Sequence, residues 1–435
     1  MNTTFFVYLI LLSVVPIWLI TSIKIQLVSF KSLILQKLFI SIASFLFISG
    51  LLYMSYPSYA SIARNNRQLS HMILPTNFIF ATAAYLKEHF KVSNIPFDPI
   101  SENSKRVMNG SKKNVTLLII GETARADRFS LNNYSKLTNP KLSKRDLLNF
   151  SQTFSCGTST ATSLPCIFSH LNRENYSHKV GKNSDNLLDF FKSVNVDVQW
   201  RDNNTGCKGI CDRVSFLDLT DQQDKEFCTS EECFDEILFQ GLQKQIIDNK
   251  NDQVIVLHPK GSHGPAYYLR YPNEFEKFKP TCKNIQLQKC SQQELNNSYD
   301  NTIVYTDYII DKAISLLEQL PEDTNATMIY VSDHGESLGD NNLYLHGTPY
   351  IIAPEEQKHV PFLVWMSESE KQASTVDFNC LKNKQNHPYS HDNIFHSLLG
   401  FMHIQTPFYN SSLDVFNSCQ KSINPSLVIN SDNKG

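Results

Sequence analysis

Two uncharged stretches at the start of the chain limit where the rest of it can fold. Residues 1–23 and 38–63 contain no Asp, Glu, Lys or Arg, and at ~1.5 Å rise per residue each is about long enough to cross the hydrocarbon core of a bilayer. A secretory signal would begin with basic residues and end in a small-residue cleavage site, and neither is present. A buried core helix is the other source of such runs, but two in tandem at one terminus argue against it. The pattern predicts two membrane helices, at about 5–23 and 38–56, in a partial transmembrane region over 1–57. Lys24, Lys31 and Lys37 fall in the loop expected between them. Basic residues favour the cytoplasmic side, so everything after about Tyr56 is expected outside the membrane.

The cysteines agree with that placement. All ten lie between Cys156 and Cys419, most of them in close pairs: Cys156 with Cys166, Cys207 with Cys211, Cys228 with Cys233, and Cys282 with Cys290. Such pairs serve as disulfides or as metal thiolates, and the CxxC spacing of zinc sites is missing throughout. Disulfides in an oxidising compartment are the expectation, with Cys380 and Cys419 left to pair by elimination. The net charge of −2 gives no basic field for nucleic acid.

Residues 58–110 read as a linker. Arg64, Arg67, His71 and Lys87 alternate there with apolar residues, a mixture that suits amphipathic helices on a membrane face or a helix packed on the following domain. From Asn114 the chain turns to short apolar, β-rich runs at 115–120, 196–200, 253–258, 327–331 and 361–366, separated by helical patterns at 183–194 and 301–320. This predicts an α/β domain over 111–423, a mainly parallel sheet sandwiched by helices, followed by a disordered tail at 424–435.

In an open α/β sheet the site forms beyond the carboxyl ends of the strands. The residues found there are Glu122 after the first run, Asp202, Asn203 and Asn204 after the second, His258 and His263 after the third, and Asp333, His334 and later His346 after the fourth. Each alone has an ordinary explanation as a helix cap or a satisfied polar side chain. Together, two carboxylates and an imidazole at one edge are ligands that Zn²⁺ takes. Ser155–Cys166, SCGTSTATSLPC, is a hydroxyl-rich run that would otherwise read as a loop or cap. It supplies Thr160 as a fourth ligand and nucleophile, because a metal stabilises the deprotonated hydroxyl. Phosphoryl transfer through a phospho-threonine follows as the expected chemistry.

The blocks GETARADRFSLNNY, SCGTSTATSLPCIFS, WRDNNTGCKG, HPKGSHGPAYYLRY, YVSDHGESLG with LYLHG, and SHDNIFHSLLG closely resemble the membrane-bound phosphoethanolamine transferases. These include enzymes that modify lipid A and confer polymyxin resistance, within the alkaline phosphatase and sulfatase superfamily. The resemblance implies that Zn²⁺ is held by Glu122, Thr160, Asp333 and His334. It also implies that Thr160, rather than Thr158, carries phosphoethanolamine from phosphatidylethanolamine to lipid A at the periplasmic face of the inner membrane. His258, His263 and His346 match positions around the phosphate or a second metal, and Asn204, Thr205 and Lys208 match positions proposed to bind substrate. A monomer is expected. The family carries five membrane helices where two are read here, so the chain is expected to begin at the fourth, as a truncated form of which zinc binding and phosphoenzyme formation are expected ahead of activity on lipid A. Rivals are transfer of phosphoethanolamine or phosphoglycerol to another envelope glycan, or an inactive remnant. An arylsulfatase is excluded because Cys166 lacks the CxPxR context.

Overall fold

The computed structural model describes residues 10–22, 29–54, 72, 74, 76–89, 96–107, 112–222 and 224–421. The expected tail at 424–435 lies outside the described residues, as do residues 5–9 of the first expected membrane helix. The chain divides into two units, Met1–Ser70 and His71–Gly435.

In the first unit, Ile10–Val14 forms a π turn that continues into the helix Val15–Ser22. A second helix covers Phe30–Met54, of which Lys31–Met54 is long and apolar enough to cross a membrane. This corrects the expected start at Leu38. Lys31 and Lys37 ride on the helix instead of punctuating a loop, because lysine is a good helix former and nothing between Phe30 and Leu38 breaks the turn. Lys24 lies outside the described residues.

The second unit opens with the helix Thr76–His89 and is built on a seven-stranded sheet. Its strands in chain order are β1 (Lys113–Gly121), β2 (Leu148–Asn149), β3 (Asp197–Asp202), β4 (Ser215–Asp218), β5 (Gln253–His258), β6 (Thr324–Ser332) and β7 (Phe362–Met366). The spatial order is β2-β7-β6-β1-β5-β3-β4. The β6-β1-β5-β3-β4 neighbours pair in parallel. The run at 361–366 departs from that direction: β7 pairs antiparallel with β6 and with β2.

Alternation along the strands sorts the core into two layers. Leu118, Ile120, Val254, Val256, Ile329 and Val331 face one side with helices α1 (Thr160–Ile167), α3 (Leu187–Ser193) and α5 (Asp392–Phe401); a short α2 (His178–Lys182) follows α1. Leu117, Ile119, Ile255, Leu257, Met328 and Tyr330 face the other side with α4 (Gln292–Glu318). Helix α4 starts well before the expected Asn301, because Ser291 and Glu294 form a capping box. With both faces covered, the functional side chains are pushed to the strand ends.

The four disulfides expected from close spacing are formed, and so is Cys380–Cys419, the pair left by elimination.

Candidate active site

Strands β1 and β6 are neighbours in parallel register, with Gly121 opposite Ser332. Their next residues, Glu122, Asp333 and His334, therefore emerge side by side, all essentially inaccessible to solvent. Ligand atoms of the three lie within 4.8 Å of one another. The backbone at this corner is strained: Thr123, a β-branched residue, sits at φ 60°. It is held there because its N–H donates to Asp333 Oδ1 (3.1 Å) and its carbonyl accepts from the Tyr299 hydroxyl (2.7 Å). Gly261 lets a second strand end approach, since a Cβ there would come within 2.8 Å of the Glu122 carbonyl oxygen.

Thr160 is the first residue of α1, so its side chain sits at the amino end of that helix. Thr160 Oγ1 lies 3.1 Å from Glu122 Oε2 and 3.4 Å from His334 Nε2. The loop before it is pinned at several points. Cys156 is bridged to Cys166, Thr158 Oγ1 donates to the Thr348 carbonyl (2.6 Å), and Gly347 N–H donates to the Thr158 carbonyl (2.7 Å). Thr158 is thereby turned away from the cluster.

The donor set fits a divalent cation. Asp333 Oδ1 is saturated by the N–H groups of Thr123 and His334, whereas Asp333 Oδ2 is buried with no hydrogen-bond partner. His334 Nδ1 lies 2.8 Å from the Gly335 carbonyl, which accepts the Nδ1–H and so favours the tautomer with the Nε2 lone pair toward the cluster. Burial pushes the Asp333 carboxyl up to about 6, helped by the neighbouring Glu122 charge. Burial would also raise Glu122, but the imidazoles of His334, His263 and His346 outweigh it and hold that carboxyl well below the usual range. Two carboxylates, an imidazole and a hydroxyl around one point suit a borderline cation such as Zn²⁺.

The sulfatase family model matches residues 114–404, and the model described as phosphoethanolamine transferase EptA/EptB matches residues 1–90. Phosphoethanolamine transferase EptA of Escherichia coli (strain K12) is 44% identical over 389 residues, covering 88% of this chain and 70% of that protein. The chain belongs to the phosphoethanolamine transferase family. Phosphatidylethanolamine transferase Mcr-1 of Escherichia coli is 36% identical over 377 residues, covering 84% of this chain and 70% of its own. Among solved structures, the integral membrane lipooligosaccharide phosphoethanolamine transferase A of Neisseria meningitidis aligns with a TM-score of 0.76 at 39% identity, over 97% of this chain and 79% of that one.

Around the cluster, the transferase places the other expected residues at different depths. His258 is fully buried: its Nδ1 lies 2.6 Å from Asp202 Oδ1 and its Nε2 3.2 Å from Asn204 Nδ2. Asn204 points inward and donates to Glu122 Oε2 at 2.8 Å. Thr205 is exposed, and Lys208 folds back so that Nζ donates to the Thr205 carbonyl and hydroxyl (2.6 and 2.7 Å). His263 and His346 are half-buried and form a chain of rings with His334, with centroids 5.5 Å apart for His263 and His346 and 4.4 Å for His346 and His334.

Three residues have roles that sequence reasoning did not assign. Asp202 orients His258. Glu336 lies 3.3 Å from His346 Nδ1 through Oε1, while its buried Oε2 has no partner. His391 accepts from Cys156 N–H at Nδ1 (3.0 Å) and reaches the Ser332 carbonyl with Nε2 (2.9 Å). It ties the Thr160 loop to the end of β6, and burial pushes its imidazole down to about 3, so it stays neutral. Asp202 and Glu336 stand beside strand ends and His391 stands in the SHDN block, so position was legible but pairing was not.

Proposed function

We propose that this chain moves phosphoethanolamine from phosphatidylethanolamine to a phosphate of lipid A through a phospho-threonine on Thr160, with Zn²⁺ held by Glu122, Asp333, His334 and Thr160. The carrying observation is the position of Thr160 Oγ1, at the head of α1 and within 3.4 Å of both Glu122 and His334. Relatives named for lipooligosaccharide and for phosphatidylethanolamine support the choice of acceptor and donor. When bound, Zn²⁺ would supply positive charge that favours the ionised hydroxyl and polarises the phosphoryl group.

In the first half-reaction Thr160 Oγ1 bonds to phosphorus as the bond from phosphorus to the diacylglycerol oxygen breaks. The proton lost from the hydroxyl is returned to the departing oxygen through His346 or His263, which reach the solvent side of the cluster. In the second, a phosphate oxygen of the acceptor attacks the same phosphorus as the bond from phosphorus to Thr160 Oγ1 breaks, and the proton that restores the Thr160 hydroxyl comes from the acceptor's phosphomonoester by way of the same histidines. His391 and the Cys156–Cys166 bridge hold the loop so that attack costs little ordering. The helix Lys31–Met54 would anchor the chain in the inner membrane, with the sulfatase domain in the periplasm, where its disulfides are stable. The added ammonium offsets phosphate charge on the envelope, which accounts for resistance to cationic peptides such as polymyxin.

The test is mass spectrometry of lipid A from cells producing the chain, together with trapping of the phosphoenzyme. Wild type should give the phosphoethanolamine adduct, and Thr160→Ala should remove both adduct and trapped label. Label that survives in Thr160→Ala would move the nucleophile to another hydroxyl, and a folded, zinc-loaded wild type with no adduct would overturn the acceptor.

A further inference from the structure

Of the large apolar residues described from Phe97 onward, Ile351 (96% exposed) and Ile352 (71%) are the two most open to solvent, and they are consecutive. They sit on a tight turn in which the Ile352 N–H donates to the Pro349 carbonyl (3.0 Å). Turn tips ordinarily carry Gly, Asn, Asp or Ser. A single exposed isoleucine needs no explanation, but a pair of them held out into solvent marks a contact with something apolar.

The turn is built onto the reacting residues. The segment that carries it begins just after His346, and its first two residues are tied to the nucleophile loop: the Gly347 N–H donates to the Thr158 carbonyl (2.7 Å) and Thr158 Oγ1 donates to the Thr348 carbonyl (2.6 Å). Its far end is tied to the same loop, since the Lys358 carbonyl accepts from the Ser155 N–H (2.7 Å). The buried Gln357 side chain clamps the base, accepting from the Thr348 N–H (3.1 Å) and donating to the Leu345 carbonyl (3.1 Å) and the Ser337 hydroxyl (2.8 Å). Ile351 lies three residues past Thr348, so its Cα is at most about 11 Å from that anchor. Whatever holds the turn therefore holds the loop of Thr160.

The surroundings of the turn say what that is. Tyr350 is half-buried, with the Arg173 guanidinium 4.4 Å and Lys358 Nζ 5.3 Å from its ring centroid. Tyrosine with basic side chains at the rim of exposed aliphatic residues is the chemistry of a membrane–water interface, where the ring and cations stay at headgroup level and the aliphatic residues enter the acyl chains. Glu174, Glu355 and Glu356 stand beside the two cations in the sequence, so there is no basic field to favour an anionic polymer, and apolar immersion has to do the holding. We propose that the turn Pro349–Ile352 dips into the lipid surface on the periplasmic side, with Ile351 and Ile352 among the acyl chains, and so fixes Thr160 over the bilayer that holds its donor. This rests on the lipid-donor reading above and extends it to how a headgroup is reached while its lipid stays in the membrane.

The test uses the full, zinc-loaded chain in phosphatidylcholine–phosphatidylethanolamine proteoliposomes. All ten cysteines are bridged, so Ile351→Cys offers one thiol for an NBD label. Its emission should shift to the blue and be quenched by doxyl-labelled lipid. Ile351→Asp combined with Ile352→Asp should slow phosphoenzyme formation from bilayer phosphatidylethanolamine by about tenfold, less than the full burial of one isoleucine would supply. The same variant should match wild type when the donor is water-soluble dihexanoyl phosphatidylethanolamine added to phosphatidylcholine proteoliposomes, and Ile351→Leu should match it with either donor. A label that stays in water would overturn the proposal. So would a label shielded from water but not quenched by lipid, because another segment or a second copy would then cover the turn, and so would equal slowing with both donors, because the turn would then only shape the site. A label in lipid on a wild type that forms the phosphoenzyme from neither donor would support the immersion and defeat the donor reading.

Discussion

At its start, β1 carries Lys113 and Asn114; one residue past its end it carries Glu122. At the first end, Lys113 Nζ donates to the carbonyls of Ile246 and Asn249, Asn114 donates twice to Asp252 (2.7 and 2.9 Å), and Arg106 pairs with Asp252 at 2.6 Å. Opposite charges meet, and each of these groups has a partner. At the other end two carboxylates and an imidazole crowd together, and the buried oxygens Asp333 Oδ2 and Glu336 Oε2 accept no hydrogen bond, although His334 Nε2 lies 3.3 Å from Asp333 Oδ2. The same strand thus ends in a self-satisfied network on one side and an unsatisfied one on the other. Leaving a buried polar group unpaired costs about 1–3 kcal/mol, so it persists where another ligand completes it. The difference separates structure from function more sharply than polarity does.

Breaking the unsatisfied end should have the largest effect. Asp333→Asn removes one ligand and one of two like charges. Transfer should fall by at least on the order of a hundredfold, with zinc content of the purified chain falling alongside. Stability of the zinc-free protein should move the other way, rising by about 1–2 kcal/mol, because the mutation relieves the Glu122 repulsion and an unpaired anion. Thermal melts with and without chelator check this. An Asn variant less stable than wild type in chelator would mean that the cluster is held by its own contacts, like the first end.

His391 sharpens the comparison, since it is a fully partnered residue at the unsatisfied end. Removing it in His391→Ala leaves the Cys156 N–H and the Ser332 carbonyl unpaired, at about 2–4 kcal/mol of stability. The loop bearing Thr160 should also loosen against β6, lowering kcat by about tenfold at a temperature where the variant is folded. KM and zinc content should move little. His391→Gln keeps a donor and an acceptor and should recover part of kcat. If stability falls while kcat at low temperature does not, the contact only holds the fold.

What could be read from the sequence follows the same division. The strands announced themselves because β1, β5 and β6 are buried on both faces and so carry mostly apolar, β-rich residues rather than an alternating pattern. The ligands announced themselves because parallel strands deliver their next residues to one edge. The antiparallel direction of β7 was hidden, since a buried run has no polarity, and so was the capping box that begins α4 before Asn301. The start of the helix at Phe30 was hidden by Lys31 and Lys37, which look like loop residues until nothing is seen to break the turn. Pairings such as His258 with Asp202 or His391 with Cys156 depend on distances across the sheet edge that no spacing along the chain encodes.

The satisfied end offers the smallest and most specific test. Glu370, in the helix Glu368–Ala373 that follows β7, lines a small cavity with Arg106, Asn114 and Asn325 at the start of the sheet. Burial pushes its carboxyl up to about 7, against a lowering pull from Lys421 and with a raising push from Asp252. A folded value above the unfolded value of about 4.3 means that the folded chain holds this proton more tightly. The group's contribution is fully present below the unfolded value and is lost as pH rises through about 7. Glu370→Gln keeps the neutral form at every pH. It should match wild type near pH 4 and exceed it by about 1–2 kcal/mol near pH 8, read from urea melts across that range. Transfer by the variant should equal that of wild type, because Glu370 lies at the opposite end of the sheet from Thr160. A change in kcat would show that the two ends are coupled through β1 and β6. A flat pH difference would show that Glu370 is ionised and paired like the rest of its network.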